Sequence, residues 1–297
     1  RTAMGARLLK NWLCYPLRDR AAIIRRQDAI AGWLDHPHAL AEVRTLLHDC
    51  QDIERITARV CCRRASPRDL LALARSLEIL VSVAGVLKTL RPTRIKTGGL
   101  DSAAPEGETL LDAEPNAEPE GLVNLAPAAD ELAAALRSAL ADDPPTHLRD
   151  GRVMRDGFHE DLDRLRGLAR DSRTWLAEYQ AKLAQTTGIA SLKVGYNRVF
   201  GFYIEISHAH AGKIPPEFAR KQTIKNAERD ITPELKQYES DILTAQERAV
   251  ALEQELFEQL RGQVAGQVVR LQGIAHAAAT LDVLAGLAQL AQSRRYC

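Results

Sequence analysis

The feature that most constrains this chain is one stretch of β-type sequence, residues 191–233, inside an otherwise helical pattern. Aromatic and β-branched residues recur at every second position over 192–196 and again over 200–206. Two such runs, separated by a short break at 197–198, predict an antiparallel hairpin. After a loop rich in glycine and proline, residues 220–229 are expected to supply a third strand.

Long apolar seams lie on both sides of this stretch, with residues stepping by three and four. The members are Leu162, Leu165, Ala169, Ser172, Leu176, Tyr179 and Leu183 before it, and Leu235, Tyr238, Ile242, Ala245, Ala249, Leu252 and Leu256 after it. This spacing predicts two long helices that pack as an antiparallel pair and carry the β-stretch at their tip. Thr232, Pro233 and Glu234 supply an N-cap, a first-position proline and a first-turn acid for the returning helix.

The rest of the chain has the pattern of a helical bundle. Aromatic residues make up only 5% of the sequence, whereas Ala, Leu, Arg and Glu are abundant, a composition typical of helical proteins. Ser66 and Pro67 form a strong start signal for a helix that should run to about Leu90. The predicted fold is therefore mainly α: a helical-bundle core with two long antiparallel lever helices that carry a small antiparallel β-rich domain inserted at the tip.

One region departs from the helical pattern. Residues 92–129 contain five prolines, and seven acids lie between Asp101 and Glu120. This composition predicts a disordered acidic loop, after which a helix is expected over 128–141. Two Asp-Gly pairs within 148–157 predict a tight ribbon before the first long helix.

Charge is balanced over the whole chain but not over the β-stretch. The chain has 40 basic and 39 acidic residues, so a site for a polyanion has to be local. Residues 191–229 contain seven Lys or Arg against three Glu. Cations beside Gln, Thr and Asn suit phosphate oxygens, which take charge together with directional N–H or O–H donors. The alternative is a solvated basic edge that prevents association between strands.

The sequence also resembles a known family. The strings SLKVGYNRVFGFYIEIS and RKQTIKNAERDITPELKQYESDIL are similar to the clamp segment of the MutS family of DNA mismatch repair proteins. RLLKNWLCYPLRD resembles the start of that family's helical core, and LDVLAGLAQLAQSRRY resembles the stretch that leads into its ATPase domain. The acidic insertion at 92–129 has no counterpart in the family pattern. The resemblance implies a helical core with a descending lever arm (1–187), a clamp (188–233), and a returning arm with core helices (234–297).

The resemblance further implies the core, lever and clamp portion of a protein that grips duplex DNA through its phosphate backbone and couples that grip to an ATPase domain. The positions it assigns to DNA contact are Asn197, Arg198, Arg220, Lys221, Gln222, Thr223, Lys225 and Asn226, with Lys193 and Arg229 as secondary candidates. No catalytic residue or cofactor is expected in this chain, because the ATP and Mg²⁺ site belongs to the ATPase domain. A homodimer and a MutL-type partner are implied for the full-length protein.

A second function stays open on the residues alone. In this alternative the chain is a helical scaffold whose coiled-coil arms and basic tip bind an acidic protein partner. The salt dependence of binding distinguishes the two, because duplex binding releases counterions in proportion to the phosphates neutralised.

Other classes of site receive little support. His36 and His38, like His208 and His210, lack further Cys or His residues at ligand spacing, so no metal site is predicted. The five cysteines form no CxxC pair and are expected to be reduced and mostly buried. No apolar run approaches the ~18 residues that span a bilayer, and no signal-peptide pattern is present, so a cytoplasmic location without membrane contact is expected. The chain starts with Arg1 and stops at Cys297, and we expect it to be part of a longer protein.

Overall fold

The computed structural model describes residues 1–90, 119–170, 172–197, 201–224 and 227–296. The chain forms two compact units. Unit 1 comprises Arg1–His147, Val153–Arg155 and Leu256–Cys297, and unit 2 comprises Leu148–Arg152 and Asp156–Glu255. The finer division predicted near residues 187 and 233 stays a prediction.

Helices dominate both units. In chain order they are α1 (Ala3–Cys14), α2 (Arg20–Leu34), α3 (Pro37–Leu46), α4 (Ile53–Cys61), α5 (Pro67–Thr89), α6 (Pro119–Ala139), α7 (Glu160–Arg170), α8 (Ser172–Thr187), α9 (Pro233–Ala265) and α10 (Val268–Arg294). The strands are β1 (Lys193–Asn197), β2 (Gly201–Ser207), β3 (Ala219–Ile224) and β4 (Ala227–Ile231), all in unit 2. The predicted fold class, a mainly helical protein with a small antiparallel β-rich insertion, is confirmed.

The start of α5 lies where the sequence predicts it. Ser66 Oγ accepts a hydrogen bond from the backbone N–H of Asp69 at 3.2 Å, and the Asp69 carboxylate accepts one from the backbone N–H of Ser66 at 2.9 Å. This reciprocal pair satisfies two N–H groups that have no partner inside the helix, and Pro67 occupies the first turn. The helix then buries a row of leucines between Leu70 and Leu80 in the core of unit 1.

Helices α5 and α10 are long and apolar enough to cross a bilayer when length and composition alone are considered. Their 18-residue windows have mean hydropathies of 2.0 and 1.4, so the expectation that no run approaches a membrane span is wrong on this measure. In unit 1, however, 56% of the α5 window and 67% of the α10 window are buried. Packing in a protein core accounts for this composition, because core helices are apolar on most sides.

Helix α6 begins earlier than the sequence indicates. The predicted start near residue 128 is wrong, because the helix runs from Pro119 and contains Pro127 in its interior. The proline removes one backbone hydrogen bond, but Leu122 and Ala126 are 2% and 5% exposed, and their burial offsets that loss. The remainder of the predicted acidic loop, residues 92–118, lies outside the described residues.

The segment 148–157 does not form the predicted ribbon. Leu148–Asp150 is a short 3-10 turn, and Gly151 and Gly157 follow with positive φ angles of 68° and 86°. Residues 153 and 154 pair with the end of α6 instead: Ala141 donates to the Val153 carbonyl at 3.0 Å, and Met154 forms a bridge with Leu140. The Asp-Gly pairs thus mark two separate turns rather than one hairpin.

The cysteines differ in exposure. Cys50 is buried, and burial raises the pKa of its thiol to about 12. Cys14, Cys61 and Cys62 are exposed, so the expectation of mostly buried thiols is wrong for the described cysteines. All of these described cysteines are free.

In unit 2 the two predicted seams form an antiparallel helix pair. Lys182 Nζ lies 2.9 Å from Glu234 Oε1, and Arg166 Nη2 lies 2.6 Å from Glu253 Oε1. The pair that uses the earlier residue of the first helix uses the later residue of the second, so the two helices run in opposite directions. Between these ion pairs the rings of Trp175 and Tyr238 stack with centroids 3.5 Å apart. The first arm is divided into α7 and α8, and residue 171 between them lies outside the described residues.

The sheet has four strands in the order β1-β2-β4-β3, all antiparallel to their neighbours. The hairpin of β1 and β2 confirms the period-two prediction. The single third strand predicted over 220–229 is wrong, because this segment contributes to two strands, β3 and β4. Strand β4 lies inside the sheet, where an apolar sequence pattern is expected. Glu228 and Asp230 interrupt that pattern, so β4 was not predicted as a separate strand.

One face of the sheet packs on α8 and α9. Its core residues on β2 are Phe202, Ile204 and Ile206, which form one buried cluster with Tyr179, Leu183, Leu235 and Ile242 from the helices. The predicted helix start at Thr232 is also confirmed: its Oγ1 accepts the backbone N–H of Leu235 at 3.1 Å and shares a hydrogen bond with the Tyr179 hydroxyl. Thr232 therefore joins α8, β4 and α9.

This arrangement predicts that Thr232→Ala lowers the free energy of unfolding of unit 2 by about 2 kcal/mol or more. The variant loses an N-cap, at about 1 kcal/mol, and leaves the buried Tyr179 hydroxyl without its partner, at about 1–3 kcal/mol. Urea unfolding followed by circular dichroism measures the change. Thr232→Ser retains the hydroxyl and is the matched control; equal losses in the two variants would contradict the role assigned to it.

Candidate nucleic-acid interface

The register of the sheet divides the predicted site between two faces. Residues directly opposite each other on antiparallel strands project from the same face, so Val194 and Asp230 share the face of Ile204, their partner on β2. We call this face, which packs on the helices, the inner face. The outer face carries the alternate residues, among them Tyr203 and Glu205.

Three of the predicted residues lie in one row across the outer face. Lys193 lies opposite Glu205, Glu205 opposite Arg229, and Arg229 opposite Gln222, so the row crosses all four strands. Lys193 and Arg229, the secondary candidates in the sequence, therefore share a face with Gln222. Lys193 is exposed and makes no ion pair within the part of the chain that the structure describes.

Arg229 is held by three neighbours. Its Nε donates to Glu205 Oε2 at 3.1 Å, and its Nη1 donates to Gln222 Oε1 at 3.3 Å. The guanidinium carbon lies 4.2 Å from the centroid of the Tyr203 ring, at the distance of a cation–π contact. Arg229 thus orders the outer face, and only part of its charge is available to a ligand.

Arg220 and Thr223 lie elsewhere. By register Arg220 is opposite Asp230 and Thr223 is opposite Glu228, so both belong to the inner side of the edge strand β3, beyond the helix-covered core. Arg220 donates to Glu228 Oε2 at 2.7 Å, yet 62% of its side chain is exposed. Thr223 is exposed as well.

Lys221 occupies an irregularity in the pairing of β3 with β4, between Arg220 and Gln222. Its Nζ donates to the Phe202 carbonyl at 3.3 Å and lies 3.7 Å from Glu239 Oε2 on α9. These contacts link the edge strand to β2 and α9. To contact a phosphate as predicted, the Lys221 ammonium group would have to give up these structural contacts.

Glu239 also holds the start of β2. Its Oε1 accepts the backbone N–H of Phe202 at 3.2 Å. Gly201 permits this approach, because its φ is +72° and an added Cβ would lie only 1.7 Å from that oxygen. A glycine is required here for both its left-handed conformation and its missing side chain.

The remaining candidates are Asn197, Arg198, Lys225 and Asn226. Arg198, Lys225 and Asn226 lie outside the described residues, and Asn197 is the last residue of β1, opposite Gly201. At the other end of β2, Ser207 lies opposite Ala227, the first residue of β4. Six residue steps along β2 separate these two ends, a distance of about 20 Å. The described candidates are therefore spread over the sheet rather than gathered in one cluster.

Three candidate cations have acidic partners that the sequence did not predict. Glu205, Glu228 and Glu239 pair with Arg229, Arg220 and Lys221 respectively. Glu205 and Glu228 belong to the charge balance of the β-stretch, but which cations they neutralise depends on strand register. The positive charge available to a ligand is consequently smaller than the residue count indicates.

Asp230 is the most deeply buried acid of the sheet, at 2% exposure. Its Oδ2 has no hydrogen-bond partner among the described residues. Burial raises the pKa of its carboxyl, and the nearby Glu228 carboxylate raises it further, against a smaller lowering effect of Arg220. The inner side of β4 is thus an acidic strip that a single exposed arginine partly neutralises.

These features define the class of protein: a mainly helical chain in which two antiparallel helices flank an inserted four-stranded sheet that bears cations and amide donors. Comparison with known proteins identifies the family, because MutS domain III matches residues 1–288. The chain belongs to the MutS domain III family, and the resemblance found in the sequence is confirmed.

Individual relatives agree with this assignment. The chain is 40% identical over 296 residues to the DNA mismatch repair protein MutS of Symbiobacterium thermophilum, a match that covers 100% of this chain and 31% of that protein. It is 43% identical over 295 residues to the protein of the same name from Rhodopirellula baltica, covering 99% of this chain and 30% of that protein. With the MutS of Methanothrix thermoacetophila it shares 41% identity over 290 residues, or 98% of this chain and 31% of the relative. The chain thus spans under a third of the length of these relatives.

The close approach at Gly201 predicts that Gly201→Ala lowers the free energy of unfolding by about 1–3 kcal/mol, because alanine is strained at positive φ and would displace Glu239. Gly167 in α7 has open space around an added Cβ, so Gly167→Ala should be neutral or stabilising, by up to about 1 kcal/mol. Chemical unfolding of both variants provides the comparison. If Gly201→Ala and Gly167→Ala lose equal stability, the contact with Glu239 is not the reason why position 201 requires glycine.

The buried carboxyl of Asp230 predicts a pH dependence. Because its pKa in the folded state is raised above the unfolded value of 3.8, the folded state binds this proton more tightly. Its contribution to stability is complete below the unfolded pKa and is lost as the pH rises through the folded pKa. The parent protein should therefore lose stability relative to Asp230→Asn as the pH increases from about 4, measured by unfolding at a series of pH values.

Asp52 gives a control of opposite sign. The Arg7 guanidinium donates to both Asp52 oxygens at 2.7 Å and lowers the pKa of that carboxyl below its usual 3.8. The contribution of the Asp52 carboxylate to the free energy of unfolding is present above pH 3.8 and is lost as the pH falls through the folded-state pKa. The parent should lose stability relative to Asp52→Asn only on acidification, and a common trend for both aspartates would contradict the assignment.

Proposed function

We propose that this chain is the core, lever and clamp portion of a MutS-type mismatch repair protein and that its sheet grips duplex DNA through the phosphate backbone. The observation that carries the proposal is the four-stranded sheet with its row of Lys193, Arg229 and Gln222. The family assignment supports it, and so does the name of the relatives, DNA mismatch repair protein MutS.

The chemistry of the row favours phosphate over base edges. Lys193 offers an exposed ammonium group, and Gln222 offers a side-chain amide. Thr223 adds an exposed hydroxyl from the inner side of the edge strand. Point charges and short donors position a protein on a duplex without reading its sequence. Arg198, Lys225 and Asn226 are proposed to add further phosphate contacts.

We further propose that the helices couple this grip to the ATPase domain of the full-length protein, where ATP and Mg²⁺ bind. Helix α9 runs without a break from Pro233 to Ala265 and includes residues of both units. Coupling requires an element with two states that both sites bias, and a continuous helix is suited to that role. A homodimer, a MutL-type partner and a cytoplasmic location are proposed for the full-length protein on the same family grounds.

The proposal predicts how duplex binding changes with salt. Replacing Lys193, Arg198, Arg220 and Lys225 by Ala should weaken binding and reduce the slope of log K against log salt concentration by up to ~3.6, because each neutralised phosphate contributes ~0.9 to that slope. Lys221 and Arg229 are left intact because they hold the sheet together. Fluorescence anisotropy from about 50 to 200 mM salt provides the measurement. Fully paired and mismatched duplexes should bind alike.

A matched control removes the same charge elsewhere. Lys10, Arg18, Arg20 and Arg25 are exposed cations of unit 1, and their joint replacement by Ala should leave the salt slope nearly unchanged. A parent chain that binds no duplex at low salt would overturn the proposal. An acidic protein partner for the basic sheet would then be the better interpretation.

A further inference from the structure

The ion pair of Arg220 and Glu228 differs from the other ion pairs of the candidate interface. Arg220 Nη2 lies 2.7 Å from Glu228 Oε2, and the arginine side chain is 62% exposed on the edge strand β3. Glu228 belongs to the central strand β4, and its side chain is only 10% exposed. The pair therefore joins an accessible cation to an anion held within the sheet.

The other two pairs are less free to exchange partners. Arg229 is only 21% exposed and is also held by Gln222 and the Tyr203 ring. Lys221 is 28% exposed and also donates to a backbone carbonyl of β2. Among the described candidates with an acidic partner, Arg220 is thus the one that solvent reaches most readily.

A carboxylate and a phosphate present similar acceptors to a guanidinium group, since both offer two oxygens to its parallel N–H donors. A phosphate that approaches Arg220 must therefore replace Glu228. The replacement leaves the Glu228 carboxylate beside the buried Asp230, with the His208 ring nitrogen 4.0 Å away. Repulsion between two poorly solvated carboxylates opposes this state.

We propose that Glu228 occupies the phosphate position of Arg220 in the DNA-free sheet and thereby limits the affinity of the interface for duplex DNA. The inference rests on the proposed function and deepens it. Glu228 is an affinity-determining residue that need not touch the ligand, because it acts through Arg220. Binding a phosphate at this position and breaking the Arg220–Glu228 pair are one exchange.

A double-mutant cycle on the full chain tests the proposal. The four proteins are the parent, Glu228→Gln, Arg220→Ala and the double variant, each titrated with the same fully paired duplex. Glu228→Gln should tighten binding about threefold to tenfold, because the phosphate no longer has to displace a carboxylate from Arg220, whereas the salt slope should stay nearly unchanged, because Arg220 neutralises a phosphate in both complexes. In the Arg220→Ala background the same change should have no effect. Tightening of equal size in both backgrounds would overturn the proposal. Glu228 would then act through the overall electrostatic field of the protein and not through Arg220.

Two further variants separate the ion pair from net charge and from folding. Glu228→Asp keeps the charge but shortens the side chain by one methylene, so it should also tighten binding. Glu234→Gln removes the same charge from an exposed pair with Lys182 on α8 and α9 and should change affinity less than twofold. A parent that binds duplex while Glu228→Gln and Glu228→Asp bind no more tightly overturns this inference alone. A parent that binds no duplex overturns the proposed function together with it.

Discussion

The structure of unit 2 depends on the burial of one face of its sheet against α8 and α9. Phe202, Ile204 and Ile206 alternate along β2, and the pleat of a strand sends every second side chain to the same side. Burial of these three therefore fixes Tyr203 and Glu205 on the outer face. The hydrogen bonds of Thr232 then connect α8 and the start of α9 to the same core. The candidate interface follows from the core, because a shift of one residue in register would move every outer side chain inward.

Local signals were sufficient for the parts of the fold that local interactions determine. Ser66 and Thr232 start their helices as predicted, since an N-cap acts on groups within three residues. The β1–β2 hairpin and the antiparallel helix pair were also predictable from periodicity. The second hairpin was missed, because the central strand β4 carries Glu228 and Asp230 at positions where an apolar pattern was expected. The start of α6 was missed because the burial of Leu122 outweighs the local effect of Pro127 inside the helix.

The candidate site was predictable in composition but not in arrangement. The sequence has cations, amides and a hydroxyl in one segment, and the structure distributes the described members over two faces. Whether Arg229 is available to a ligand depends on Glu205, which is 24 residues away and is brought opposite by strand pairing. Whether Lys221 is available depends on Glu239 of a different element. Counting charges cannot detect such pairing, because the local field is set by which cations remain without a carboxylate neighbour.

The acids of β4 are costly from the standpoint of stability alone. A buried carboxylate loses hydration, and an ion pair in such a place is often no more stable than apolar residues of similar volume. Asp230 illustrates the cost, since burial raises the pKa of its carboxyl and one of its oxygens has no partner among the described residues. For a grip based on phosphate charge, however, the acids have an effect that apolar residues lack. Each carboxylate near the interface lowers the affinity for a polyanion, and a protein that holds a backbone without reading sequence requires moderate affinity to move along it. In the proposed grip, the row of Lys193, Arg229 and Gln222 would provide attraction to the phosphate backbone and the acidic strip would limit it.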